Sequence, residues 1–227
     1  HPQFQPMIDD HYSTTIFEMY PSGHNRMIEK LQPSSRWPDA QQMKPLWAQV
    51  LQEWDIDPAT YDGRAQQARL ALQQARRRLG PARGYTYFNA LTDDELTDQF
   101  HHTCFPNLTL TGTPEGLHVF RTEPDPEDPN WSTFDYWYLV PPVEGATEVP
   151  TLYGMRPYAE AEHEAGSFDD YQTSLPQGDF LIQDLGVAVT QQQGLRSMAF
   201  EDAYLAEQET RVRRFHEVIN DYLEGRR

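Results

Sequence analysis

Cys104 is the only cysteine in 227 residues. No disulfide, thiolate zinc site or cysteine-held iron–sulfur cluster can be built within this chain. Positive charge is also scarce: 18 Lys and Arg stand against 35 Asp and Glu, for a net charge of −17. A surface of that sign repels phosphate backbones and argues against a nucleic-acid partner. No apolar run approaches the roughly 18 residues of a membrane span, and no signal-peptide pattern is visible. A reducing cytoplasm is therefore the expected compartment, with no membrane as partner. The phosphate loop, the Gly-rich dinucleotide fingerprint and the Gly-x-Ser-x-Gly elbow are missing too, which leaves nucleotide-dependent and serine-hydrolase chemistry without support.

Aromatic residues are what the chain has in quantity: twelve Tyr, eleven Phe and five Trp. With a length that suits one large domain, they predict an ordered core spanning 1–227 as a single unit. His11 to Tyr20 reads as a strand, Pro21-Ser22-Gly23 as a turn and Asn25 to Leu31 as the return strand. A helical block follows at about 42–103. Pro45 opens one helix carrying Leu46, Trp47, Val50, Leu51 and Trp54. Ala65, Ala68, Leu72, Ala75 and Leu79 form the stripe of a second, whose last turn, Arg76 to Arg78, suits the negative end of the helix dipole. Thr92 and Glu95 make a capping box ahead of Leu96 and Phe100. Three strands are expected at Phe105 to Thr111, Leu117 to Glu123 and Thr133 to Val140, the first two joined antiparallel by Pro114-Glu115-Gly116. Pro141 to Gln177 reads as loops with a short helix, Gln183 to Gln193 as helix-compatible, and Glu207 to Leu223 as a closing helix with Val212, Phe215, Ile219, Tyr222 and Leu223 on one face. This order describes an α+β fold with helices packed on one antiparallel sheet.

Chemistry-bearing residues are few. Asp184 precedes Gln191 to Ser197, and an amide on its helical face would suit a metal-ligating carboxylate; a helix N-cap is the structural alternative. His1 opens the chain without a methionine, as if cut from something longer. One imidazole and one carboxylate are two of the three ligands of a non-haem Fe(II) facial triad. A terminal histidine is alternatively just exposed, or chelates copper through its amine and ring. His101 and His102 are adjacent and, read as helical, diverge by about 100°. His118, beside Leu117, Val119 and Phe120, is a strand histidine that faces either a cavity or a core. His216 reads as a surface residue of the closing helix, and His11, His24 and His163 have no partners at a ligand spacing.

Taken together, these runs resemble the catalytic domain of Rieske-type aromatic-ring-hydroxylating oxygenase α subunits. The pieces that carry the resemblance are His1-Pro2, Phe105-Pro106-Asn107-Leu108-Thr109-Leu110, Glu115 to Arg121, Asp184 with Gln191 to Ser197, and Gln208 to His216. The family's iron-binding segment is Glu-x-Tyr-His-x(4)-His-Pro; His1-Pro2 matches its last two letters, and Asp184 matches the carboxylate ligand. The resemblance implies a helix-grip fold, a curved antiparallel sheet wrapped on a long C-terminal helix. It implies mononuclear Fe(II) held by His1 and Asp184, and a substrate pocket with Phe105, Asn107, His118 and Phe120 as candidates. The first iron histidine and the Rieske [2Fe-2S] domain would then precede residue 1. The implied reaction hydroxylates an aromatic substrate with O₂, to a cis-dihydrodiol or a monohydroxylated product. Its electrons come from NAD(P)H through a reductase and, in some systems, a ferredoxin. The implied assembly is a homotrimer or an α/β hetero-oligomer, and the fragment alone is expected to be inactive. The competing reading from another class is a metal-free helix-grip module that binds a hydrophobic small molecule.

Overall fold

The computed structural model describes residues 8–9, 14–35, 39–151, 154–157, 166–170 and 180–227. The chain divides into two compact units, one from 2–157 with 205–227 and the other around 158–204.

In the larger unit, strands β1 (Ile8–Asp9) and β2 (Ile16–Met19) pair with β3 (Asn25–Leu31). Helices α1 (Pro45–Glu53) and α2 (Ala68–Leu79) follow. Strands β4 (Gln99–Cys104), β5 (Leu108–Thr113), β6 (Gly116–Pro124) and β7 (Ser132–Leu139) complete a seven-stranded antiparallel sheet, ordered β3-β4-β5-β6-β7 beyond β1 and β2. The β5–β6 pairing closes at Thr113 opposite Gly116, so the short Pro114-Glu115 connection forces an antiparallel partner. A small hairpin, β8 (Glu148–Thr151) with β9 (Gly154–Pro157), stands where the sequence reads as loop. The smaller unit contains helix α3 (Phe180–Leu195), and helix α4 (Thr210–Leu223) closes the larger one after a 3₁₀ turn at Glu207–Glu209.

The helical block holds the buried core. Trp47, Leu51, Ala68, Leu72, Phe88 and Leu96 are fully enclosed. Burial of each large apolar side chain here stabilises the fold by roughly 1.5–3 kcal/mol. Pro45 starts α1 because its fixed φ suits the first helical position and the missing N–H costs nothing there. Gly84 adopts φ +90°, and a Cβ there would lie 2.3 Å from the Glu144 carbonyl oxygen, so only glycine fits. The C-terminal arginines of α2 do more than answer a dipole. Arg76 is buried, donates to the Leu96 carbonyl at 2.7 Å, pairs with Glu115 and lies over the Trp54 ring. Arg77 donates to the carbonyls of Phe88 and Leu91.

Several boundaries differ from the sequence reading. The Thr92–Glu95 box forms, with Thr92 N donating to the Glu95 carboxylate at 2.7 Å and Glu95 N donating to the Thr92 hydroxyl at 3.2 Å, but it opens only a single 3₁₀ turn ending at Leu96. The helical block therefore stops before residue 103, and His101 and His102 lie on β4. Strand β5 starts at Leu108 rather than Phe105; Phe105-Pro106 is a cis peptide in the β4–β5 turn. The closing helix presents Arg211, Phe215, Val218 and Tyr222 to the sheet side, whereas Val212 and Leu223 are exposed. The expected stripe is turned by about one position, since Val218 fills the space against Gly23 and is fully buried.

Candidate functional site

Register and alternation sort the sheet into two faces. One face carries Asn25, Met27 and Glu29 from β3, His101 and Thr103 from β4, and Thr109 and Thr111 from β5. It continues through His118 and Phe120 on β6 to Phe134, Tyr136 and Tyr138 on β7. The other face carries Arg26, His102, Leu110, Val119 and Trp137. Helix α4 lies over the first face. Arg211 donates from Nε to Asn25 Oδ1 at 2.5 Å and from Nη2 to Thr103 Oγ1 at 2.8 Å, and it reaches Met27 Sδ at 3.7 Å. Burial lowers the pKa of this guanidinium from its ordinary value, and the charge of Glu29 works against that.

The face is half-buried and polar at its centre, aromatic at its β6–β7 side. His101 bonds Glu29 through Nε2 and Thr111 through Nδ1, each at 2.9 Å. His118 Nδ1 meets the Tyr136 hydroxyl at 2.6 Å. The His118 ring stacks on Tyr138 with centroids 4.5 Å apart and runs within 7° of parallel to the rings of Tyr136 and Phe120. Burial, followed by the charge of His101, holds the His118 imidazole below its usual pKa. Burial also pushes the Tyr138 phenol up to about 12. Together these groups can grip a flat ring by its faces and address a polar substituent on it.

The structure brings two of the four predicted pocket residues into one cluster of rings. His118 and Phe120 share the aromatic ladder. Phe105 instead packs against Phe215 and Tyr222 of α4, and its backbone N–H donates to His24 Nδ1 at 3.0 Å. Asn107 sits just before β5, and its carbonyl accepts from Thr122 N at 3.1 Å. Sequence reasoning passed over Glu29 and gave Arg211 no role of its own. Among the remaining histidines, His216 is exposed on α4 against Phe215, while His11 and His163 fall outside the described residues.

Asp184 belongs to the smaller unit. It is the fifth residue of α3, which rules out the N-cap alternative. The residue is exposed, yet enough atoms crowd its carboxyl group for desolvation to raise the pKa above the ordinary carboxylate range. A carboxylate oxygen is one of the donor types that divalent iron accepts. Its expected partner His1 lies outside the described residues. No group of three His, Cys, Asp or Glu with metal-binding geometry occurs among the described residues, and no helix among them is long and apolar enough to cross a membrane.

Residues 21–225 match the model of one protein family, described as the ring hydroxylating alpha subunit (catalytic domain). No curated protein and no solved structure matches the chain.

Proposed function

The chain belongs to the catalytic-domain family of ring-hydroxylating α subunits, and from that premise we propose that it is the substrate-binding part of a Rieske-type oxygenase that hydroxylates an aromatic compound with O₂. The observation that carries the reading is the family match over 21–225, joined to a sheet face whose aromatic ladder suits a planar ring. Phe120, Tyr136 and Tyr138 exclude water from one side of the ring, and His118 addresses its edge. Asp184 and His1 would hold mononuclear Fe(II), with a further imidazole from outside these residues. When bound, the iron supplies the open coordination positions that O₂ chemistry requires. Electrons would come from NAD(P)H through a reductase, with or without a ferredoxin, and a Rieske [2Fe-2S] cluster. Trimeric or α/β assembly in the cytoplasm belongs to the same proposal, as does the inactivity of the 227-residue chain alone.

The test is metal analysis and product detection on the protein joined to its Rieske domain, supplied with reductase. Asp184→Ala should lose most of the bound iron and all hydroxylated product. A variant that kept both its iron and its turnover would remove Asp184 as a ligand and favour a metal-free module that binds hydrophobic molecules.

A further inference from the structure

The chemistry of the 2.6 Å contact between Tyr136 and His118 assigns the imidazole proton. A phenol O–H is a strong donor whose oxygen accepts poorly, whereas an unprotonated imidazole nitrogen accepts well. The phenol is therefore the donor and Nδ1 the acceptor. A neutral imidazole that accepts at Nδ1 carries its hydrogen on Nε2. That Nε2–H has no hydrogen-bond partner among the described residues. Tyr138, stacked at 4.5 Å, and the bond to Tyr136 hold the ring's orientation. Beside it on β5 stands Thr111, whose hydroxyl is held by His101, which in turn is held by Glu29.

We propose that His118 is the residue that selects the substrate class: its Nε2–H donates to an oxygen carried on the aromatic ring, so the chain takes phenols or aryl carboxylates in preference to bare hydrocarbons. The inference rests on the oxygenase reading above and narrows it. A hydrocarbon lying on the ladder strips water from the Nε2–H and returns nothing. A ring oxygen replaces the lost water bond. Leaving one buried donor unmet is enough to set a preference of about tenfold.

The test measures dissociation constants of the 227-residue chain, and of the protein joined to its Rieske domain, for phenol, benzoate and toluene by calorimetry. At least one of phenol and benzoate should bind about tenfold more tightly than toluene, and which one does so identifies the oxygen as hydroxyl or carboxylate. His118→Phe keeps a stacked ring and removes the donor; it should bring all three ligands to within about twofold of one another while leaving toluene unchanged, and His118→Gln should restore part of the preference. Equal binding of toluene by the unaltered protein, equal weakening of all three ligands in His118→Phe, or no binding of any ring overturns the proposal. Nitrogen-15 spectra of the histidines give a readout independent of ligand. They should show His118 protonated on Nε2, shifting to a tautomer mixture in Tyr136→Phe, and an Nδ1–H form in the unaltered protein would equally overturn it. Failure of the oxygenase reading looks different: no iron and no product in the Rieske-joined protein, whatever the ring preference.

Discussion

The rings of Phe105 and Tyr222 lie within 3° of parallel with centroids 5.8 Å apart, so the β4–β5 turn is stacked on the closing helix. Phe215 adds a second ring at 5.5 Å. Phe105→Ala should thus loosen α4 from the sheet and cost about 1–3 kcal/mol, less than a fully enclosed phenylalanine because Tyr222 is itself 54% exposed. Urea denaturation checks the loss. The preference among ring ligands should stay unchanged, which separates Phe105 from His118.

Asp98 should be far more sensitive than its neighbour Asp94, although both pair with Arg69. The Asp98 carboxylate is 3% exposed; it accepts from Arg69 at 2.8 and 2.6 Å and from the Thr97 hydroxyl at 2.9 Å. Asp94 is 68% exposed. Removing the enclosed partner leaves the half-buried Arg69 guanidinium with only the exposed Asp94, so Asp98→Ala should cost about 1.5–3 kcal/mol. Asp94→Ala should cost at most about 1 kcal/mol. Equal losses in the two variants, read from the same denaturation curves, would contradict this.

Stability should fall as pH drops below about 6.5. Burial holds the pKa values of His118 and His102 below the ordinary value, aided by the charge of His101 in the first case and of Arg26 in the second. In the unfolded chain both imidazoles take up protons near pH 6.5. Below that point, and above their folded pKa values, the unfolded state binds more protons, so acid favours unfolding; above it the full stability is present. Carboxylates with lowered pKa values titrate below this window; Asp184, with a raised one, acts in the opposite direction. Comparing denaturation midpoints at about pH 7.5 and about pH 5.5 tests it, and His118→Phe should flatten the dependence. An undiminished slope in that variant would assign the effect elsewhere.

What was legible in the sequence is local. The bounds Asn25–Leu31 of β3 follow from a strand-like run behind a Pro-Ser-Gly turn, and the β5–β6 hairpin follows from a connection too short for anything else. His118 was readable as a strand histidine because Leu117, Val119 and Phe120 beside it make a strand-like run. The bonds that give these residues meaning are long-range. Glu29 reaches His101 across 72 residues, and Arg211 reaches Asn25 across 186, so no window of sequence contains either pair. His101 and His102 were misplaced on a helix because the capping box at Thr92 is a true helix start that tertiary packing allows to run for only one turn. The β8–β9 hairpin was hidden by Pro150, a residue that argues against a strand except at an edge.

Glu29 on β3 and Gln99 on β4 are direct cross-strand partners, although the whole helical block lies between them. The block therefore hangs from a neck one strand-spacing wide, and a tight turn could join the same two strands without changing any register. Its retention is a matter of anchorage further out, where Arg76 holds Glu115 and the Tyr87 hydroxyl donates to the Pro114 carbonyl at 3.0 Å. The block thus has a core of its own, and its two attachments to the hairpin turn are the mechanical link between that core and the strand that carries His118.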